Sequence, residues 1–222
     1  MTRRETLFGW TYLLLSMFVL PVILLLINAF LSNPLSETEI NLIYLGSNFL
    51  VVMLIFRQFF IASIMAALEK PWRCLRFAAI GFALYYLFSF GIGTIILLIQ
   101  PEFSNVNDET VMDLFQEHTS LMAFTTILLV PITEELLYRG LLFQGFQRKS
   151  RLFAYCLSVL VFAGIHVMGY IGKYDLLTLA LCFVQYLPAG IALAWAYEKS
   201  DTIIAPILMH ITINQIGTSV MR

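Results

Sequence analysis

Charge is what this sequence has least of. Of 222 residues only 12% are charged and 60% are hydrophobic, and the mean hydropathy is +0.86. A soluble domain carries about 25% charged residues, so composition alone places the chain in a membrane. The net charge is −1 with no basic tract, which argues against nucleic acid as a partner. The three cysteines, Cys74, Cys156 and Cys182, lack CxxC spacing and lie in or beside apolar runs. An odd, scattered set of that kind argues against a disulfide framework and reads as reduced packing residues. No linker, repeat or low-complexity segment divides the chain, so residues 1–222 read as a single integral membrane domain.

What the sequence does have is long apolar runs. A crossing helix needs about 20 apolar residues, and seven such runs are predicted, at about 8–31, 42–60, 76–100, 119–146, 152–170, 176–197 and 202–219. The expected fold is therefore all-α and polytopic. The opening MTRRETLFGW resembles the start of a signal peptide, but the nearly unbroken run from Phe8 to Leu31 fits a retained anchor better. The segment 61–75 is expected to form an amphipathic interfacial helix with Trp72 at headgroup level. Arg3 and Arg4, then Lys70, Arg73 and Arg76, then QRKSR at 147–151 and EKSD at 198–201 fall in alternate loops. The intervening loops at 32–39 and 101–118 are acidic or lack positive charge, so the amino terminus is expected to be cytoplasmic. Short loops and a compact chain point to a bacterial cell membrane.

The exception to this apolar pattern is PITEELLYRG, residues 131–140. About thirteen Leu, Ile, Val and Phe residues in the fourth span contribute roughly −4 to −8 kcal/mol to insertion. Three central charges cost about 7 to 10 kcal/mol together, so Glu134, Glu135 and Arg139 must face partners or water rather than lipid. Glu135 and Arg139 stand at i and i+4 and can pair on one helix face. Glu134 is about 100° away and has no partner in its own span.

Two other spans carry candidates. His166 lies in FAGIHVMG on the fifth, and His210 and Asn214 share a face at i and i+4 on the seventh. Counting about 1.5 Å per residue places Glu134, His166, His210 and Asn214 in one layer of the bilayer, to within two turns. His118 lies in the acidic outer loop and reads as solvated. Each residue has a plainer reading. A membrane histidine commonly serves as an interhelical hydrogen-bonder, Asn214 alone would be helix glue, the Glu135–Arg139 pair would be scaffold, and Glu134 alone would suit a proton relay in a small-solute transporter. Together, a carboxylate, two imidazoles and an amide supply what hydrolysis needs.

At these positions Glu134-Glu135-x-x-x-Arg139, Phe162-x-x-x-His166 and His210-x-x-x-Asn214 resemble the three motifs of the CPBP (Abi) family of intramembrane proteases. That family includes CAAX-prenyl endopeptidases and bacterial proteins linked to bacteriocin processing and immunity. The resemblance covers about 119–219 and implies a four-helix-type catalytic core there, with 1–118 as peripheral helices. It implies that Glu134 and His166 bind and deprotonate a water, with Glu134 as general base, and that His210 and Asn214 bind the oxyanion. Glu135 and Arg139 would orient Glu134. The implied substrate is a membrane-associated, prenylated or small peptide. One Glu with two His is also a zinc set, so Glu134, His166 and His210 would be the ligands if a metal is present. The absence of HExxH favours a water activated without one. A non-catalytic immunity or scaffold protein is the further alternative.

Overall fold

A computed structural model describes residues 1–220 of the chain. Among the described residues there are nine helices and no strand. They are α1 (Arg3–Ala29), α2 (Glu37–Ile55), α3 (Arg57–Glu69), α4 (Pro71–Ile99), α5 (Val106–Leu114), α6 (Thr119–Gln147), α7 (Arg151–Met168), α8 (Leu176–Ser200) and α9 (Ile204–Val220). All but α3, α5 and α9 are long and apolar enough to cross a membrane, so the chain is an all-α polytopic membrane protein. The seventh expected span is α9, with 17 residues.

Helix starts follow local chemistry. Thr2 with Glu5, and Ser36 with Glu39, form capping boxes at the heads of α1 and α2. Asn105, Ser150 and Asp175 accept backbone N–H bonds at the heads of α5, α7 and α8. Asp201, at φ 63°, ends α8 in the left-handed conformation that releases the chain into α9. The second span stops at Ile55 instead of residue 60, because the backbone turns at Phe56. The segment expected to be an amphipathic interfacial helix is divided differently. Pro71 occupies the first turn of α4, so Trp72 opens that helix. Helix α3 buries Phe59, Ser63 and Ala67 but exposes Ile61, Met65 and Leu68, so its outer face is apolar and the expected amphipathicity does not hold.

Two spans contain a π-turn just before a proline, and the consequence is the same in both. In α1 the π-turn covers Leu15–Val19 and the Leu20 N–H bonds the Leu15 carbonyl. In that register the next bond would run from residue 21 to Ser16, but Pro21 has no N–H. The Ser16 carbonyl is taken instead by the Tyr44 hydroxyl of α2, at 3.1 Å. In α6 the π-turn covers Thr125–Leu129 and the Val130 N–H bonds the Thr125 carbonyl. Pro131 leaves the Thr126 carbonyl open, and Asn214 Nδ2 of α9 donates to it at 2.9 Å. A third π-turn, Leu136–Phe143, is wholly buried, and the Ser158 hydroxyl of α7 donates to its Tyr138 carbonyl at 2.9 Å. Each irregularity thus becomes an interhelical hydrogen bond, as an apolar solvent requires.

The core is built around α6. Leu136, Leu137, Leu141, Leu142 and Phe143 are buried there with Phe162 of α7 and Leu193 of α8. Helix α8 packs along α4 on one side and α7 on the other, presenting buried Ala189, Gly190, Ala192, Ala194 and Ala196. The loops expected on one side of the membrane do share an end. Arg73 Nε donates to the Lys199 carbonyl at 3.0 Å, and Arg151 Nη2 donates to Glu198 at 2.7 Å. At the opposite end the Ser36 hydroxyl donates to Glu117 at 2.8 Å.

A Cβ on Gly190 would lie 3.0 Å from Val159 Cγ1 and 3.4 Å from the Val159 Cα of α7. Gly190→Val is expected to force α7 and α8 apart and cost about 1–3 kcal/mol. A thermal or denaturant unfolding curve in detergent checks this, and an unchanged midpoint contradicts it.

Candidate active site

The charges of α6 are accommodated by one shared oxygen. Glu135 Oε1 accepts from Arg139 Nη1 at 2.8 Å and from His210 Nδ1 at 2.8 Å. Both members of the Glu135–Arg139 pair are fully buried. Arg139 Nη2 also donates to the Gly190 carbonyl at 3.1 Å, and its guanidinium lies 4.7 Å over the Phe162 ring. The pair therefore ties α6 to α8, α7 and α9 together. Glu135 also holds His210. That bond sets the tautomer, because a carboxylate already accepting from arginine takes a hydrogen from Nδ1. Nε2 of His210 is left 3.9 Å from Glu134 Oε2. Glu134 Oε2 has no hydrogen-bond partner of its own.

His166 is fixed in a similar way. Its Nδ1 donates to the Phe162 carbonyl at 2.7 Å, which leaves Nε2 with the lone pair. The ring stacks on Tyr186 at 4.1 Å and 27°. Glu134, His166, His210 and Asn214 all line one cavity of about 530 Å³, within the range of small-ligand sites. Three spans thus bring together the four residues singled out in the sequence. Asn214 uses one amide hydrogen on Thr126, so its other N–H and its oxygen are what it offers the cavity.

Sequence reasoning missed the roof of this cavity. Asn105 Nδ2 donates to Gln185 at 2.8 Å, and the Tyr186 hydroxyl donates to Asp108 at 2.8 Å while accepting from Asn107. These bonds fasten α5 over the site, with Asp108 and Asn107 in the cavity wall. Burial pushes the Asp108 carboxyl above its ordinary range, and the Tyr186 hydroxyl and the nearby His166 pull it partly back. Asn105 and its Asn-Asp-Glu run read as a solvated acidic loop, and no spacing in the sequence signals that it folds back on α8.

The zinc alternative can be tested on the donors. Among the described residues, no three His, Cys, Asp or Glu side chains converge closely enough to hold one ion. Glu134 and His210 approach each other, but no third ligand joins them, so the alternative zinc set of Glu134, His166 and His210 does not fit this arrangement.

A carboxylate, two imidazoles and an amide thus line one cavity inside the helix bundle. Residues 116–216 match the family model described as type II CAAX prenyl endopeptidase Rce1-like. The segment carrying the three motifs is thus similar to that family of intramembrane endopeptidases, in line with the resemblance to CPBP proteins. The chain is also 27% identical over 156 residues to UPF0177 protein YxdF of Lactococcus lactis subsp. lactis, covering 69% of this chain and 81% of the relative. No solved structure matches.

Removing one partner of a buried ion pair strands the other charge. Arg139→Ala is expected to destabilise the folded protein by about 3–5 kcal/mol. Arg139→Lys, with no fork to reach both Glu135 and the Gly190 carbonyl, should recover only part of that. Unfolding midpoints of the two variants check the order, and Arg139→Lys equal to wild type contradicts it.

Proposed function

We propose that the protein is an intramembrane endopeptidase that cleaves a peptide bond of a membrane-anchored, lipidated or small peptide, with a water activated by Glu134. The observation that carries this reading is the setting of Glu134. Its carboxylate lines a cavity inside the helix bundle, 3.9 Å from His210 Nε2, and His166 and Asn214 line the same cavity.

In this reading the two histidines divide the labour. His210, held through Nδ1 by Glu135, acts as a donor through a hydrogen on Nε2, while His166, whose Nδ1–H is spent on the Phe162 carbonyl, offers Nε2 as an acceptor. A water is then held by Glu134 and by His166 Nε2. Glu134 takes its proton as the water oxygen bonds the substrate's carbonyl carbon. The oxyanion accepts from His210 Nε2–H and from the second amide hydrogen of Asn214, each donor contributing about 3–4 kcal/mol by analogy with other proteases. The C–N bond breaks as Glu134 passes the proton to the leaving amine, releasing a carboxylic acid and an amine. No step in this sequence requires a metal.

The working unit in this reading is the core at about 119–219, with residues 1–118 supplying further walls. The three basic loops that share one end of the bundle are assigned to the cytoplasm, together with the amino terminus, in a bacterial cell membrane.

Glu134→Gln keeps size and hydrogen bonding but removes the base. It is expected to lower kcat by about 10² to 10⁴ on a peptide that the wild type cleaves, at an unchanged unfolding midpoint. A folded, fully active Glu134→Gln protein contradicts the mechanism. Exhaustive chelation should leave wild-type cleavage intact. Activity lost to a chelator and restored by zinc overturns the metal-free step.

A further inference from the structure

Glu134 lines a second cavity as well as the first. This chamber, of about 120 Å³, lies between α1, α2, α6 and α7, and its polar wall is Ser16, Tyr44, Asn48, Thr133, Glu134 and Tyr138. One carboxylate therefore stands between a large cavity that opens under α5 and a small one backed by the first two helices. Most polar groups of this wall have partners within the protein: the Tyr12 hydroxyl donates to Asn48 Oδ1 at 2.9 Å and the Ser16 hydroxyl to the Leu13 carbonyl at 3.0 Å. The Tyr44 hydroxyl donates to the Ser16 carbonyl at 3.1 Å, and the Thr133 hydroxyl donates to the Leu129 carbonyl at 2.9 Å. Asn48 Nδ2 donates to the Tyr44 carbonyl at 2.8 Å. Two groups have no hydrogen-bond partner among the described residues: Glu134 Oε2, which is buried, and the Tyr138 hydroxyl. Buried polar atoms without partners are costly. The rest of the lining is mostly apolar, including Leu13, Met17 and Leu137, so water in this chamber would gather at the unpartnered Glu134 oxygen and Tyr138 hydroxyl.

Hydrolysis consumes one water per bond cut. A peptide seated in the 530 Å³ cavity covers Glu134 from that side, so the next water must come from elsewhere. We propose that the small chamber behind Glu134 is a water-binding site that feeds the base from the face opposite the substrate. Helices α1 and α2, outside the segment that matches the protease family, thereby acquire a function. Their Pro21-linked π-turn brings the Ser16 carbonyl and the Tyr44 hydroxyl to the chamber wall. The inference rests on the hydrolytic reading of Glu134 for its purpose, but its physical content, bound water between α1, α2 and α6, stands or falls separately.

Two measurements test it. Radiolytic hydroxyl labelling oxidises buried side chains that touch bound water. In wild type, Tyr44, Leu137 and Tyr138 are expected to be labelled, and Ser16→Leu, which fills the chamber with a branched apolar side chain, should protect them. Absence of labelling in the wild type overturns the proposal whether or not the protein is a protease. Labelled chamber residues in a protein that cleaves no peptide leave the water site standing and remove the hydrolytic reading. In a cleaving preparation, Ser16→Leu should lower kcat about tenfold on a long peptide that fills the large cavity, with little change in KM. On a short peptide that leaves room for solvent, kcat should stay near wild type. Tyr138→Phe, which changes no packing volume, should reproduce the same split in weaker form. An equal loss on both substrates, or no loss on the long one in a folded variant, overturns the feeding role.

Discussion

A fully buried arginine inside a membrane helix is the constraint that the rest of this structure serves. Arg139 keeps its charge in any accessible environment, so the protein around it must supply acceptors. It does so with Glu135 one turn back and with the Gly190 carbonyl of α8, and the Phe162 ring covers the guanidinium plane. The same Glu135 oxygen then accepts from His210. Three helices are pinned to α6 by one ion pair and its neighbours, and the direction of the His210 ring follows from that. Glu134, the adjacent residue, faces a different way and is left as the charged group without a fixed partner. Neighbouring carboxylates on the same helix are thus treated differently, one spent on the ion pair and the other left to line the cavities.

The helical irregularities belong to the same logic. In lipid, a carbonyl that loses its N–H to proline has no water to turn to. Pro21 and Pro131 each open one carbonyl, and each is closed by a side chain from another helix, Tyr44 in the first case and Asn214 in the second. Asn214 is therefore at once interhelical glue and a member of the cavity wall. One amide hydrogen serves the first role, and the other hydrogen and the oxygen are left to the cavity.

Much of the site was legible in the sequence because charge in an apolar run is expensive and so must be accounted for. Glu134, Glu135, Arg139, His166, His210 and Asn214 stand out against their surroundings, and helical spacing correctly paired Glu135 with Arg139. What spacing could not give is the partner across helices. The bond from His210 to Glu135 depends on how α9 rotates against α6. The roof was invisible for a different reason: Asn105, Asn107 and Asp108 lie in an acidic polar loop, and only packing against Gln185 and Tyr186 distinguishes them from solvated residues. Helix counting succeeded for the long spans, while Phe56 and Pro71 moved the boundaries of the second and third because turn geometry prevailed over hydropathy.

The central claim is that Glu135 aims His210 at the space beside Glu134, where the tetrahedral intermediate forms. A structure of the protein bound to a peptide phosphonate, which mimics that intermediate, tests it most directly. The account places one phosphonyl oxygen within hydrogen-bond distance of His210 Nε2 and the other beside Glu134, with the His210–Glu135 bond intact. A phosphonate seated away from Glu134, or a His210 ring turned off Glu135 to reach it, would contradict the account.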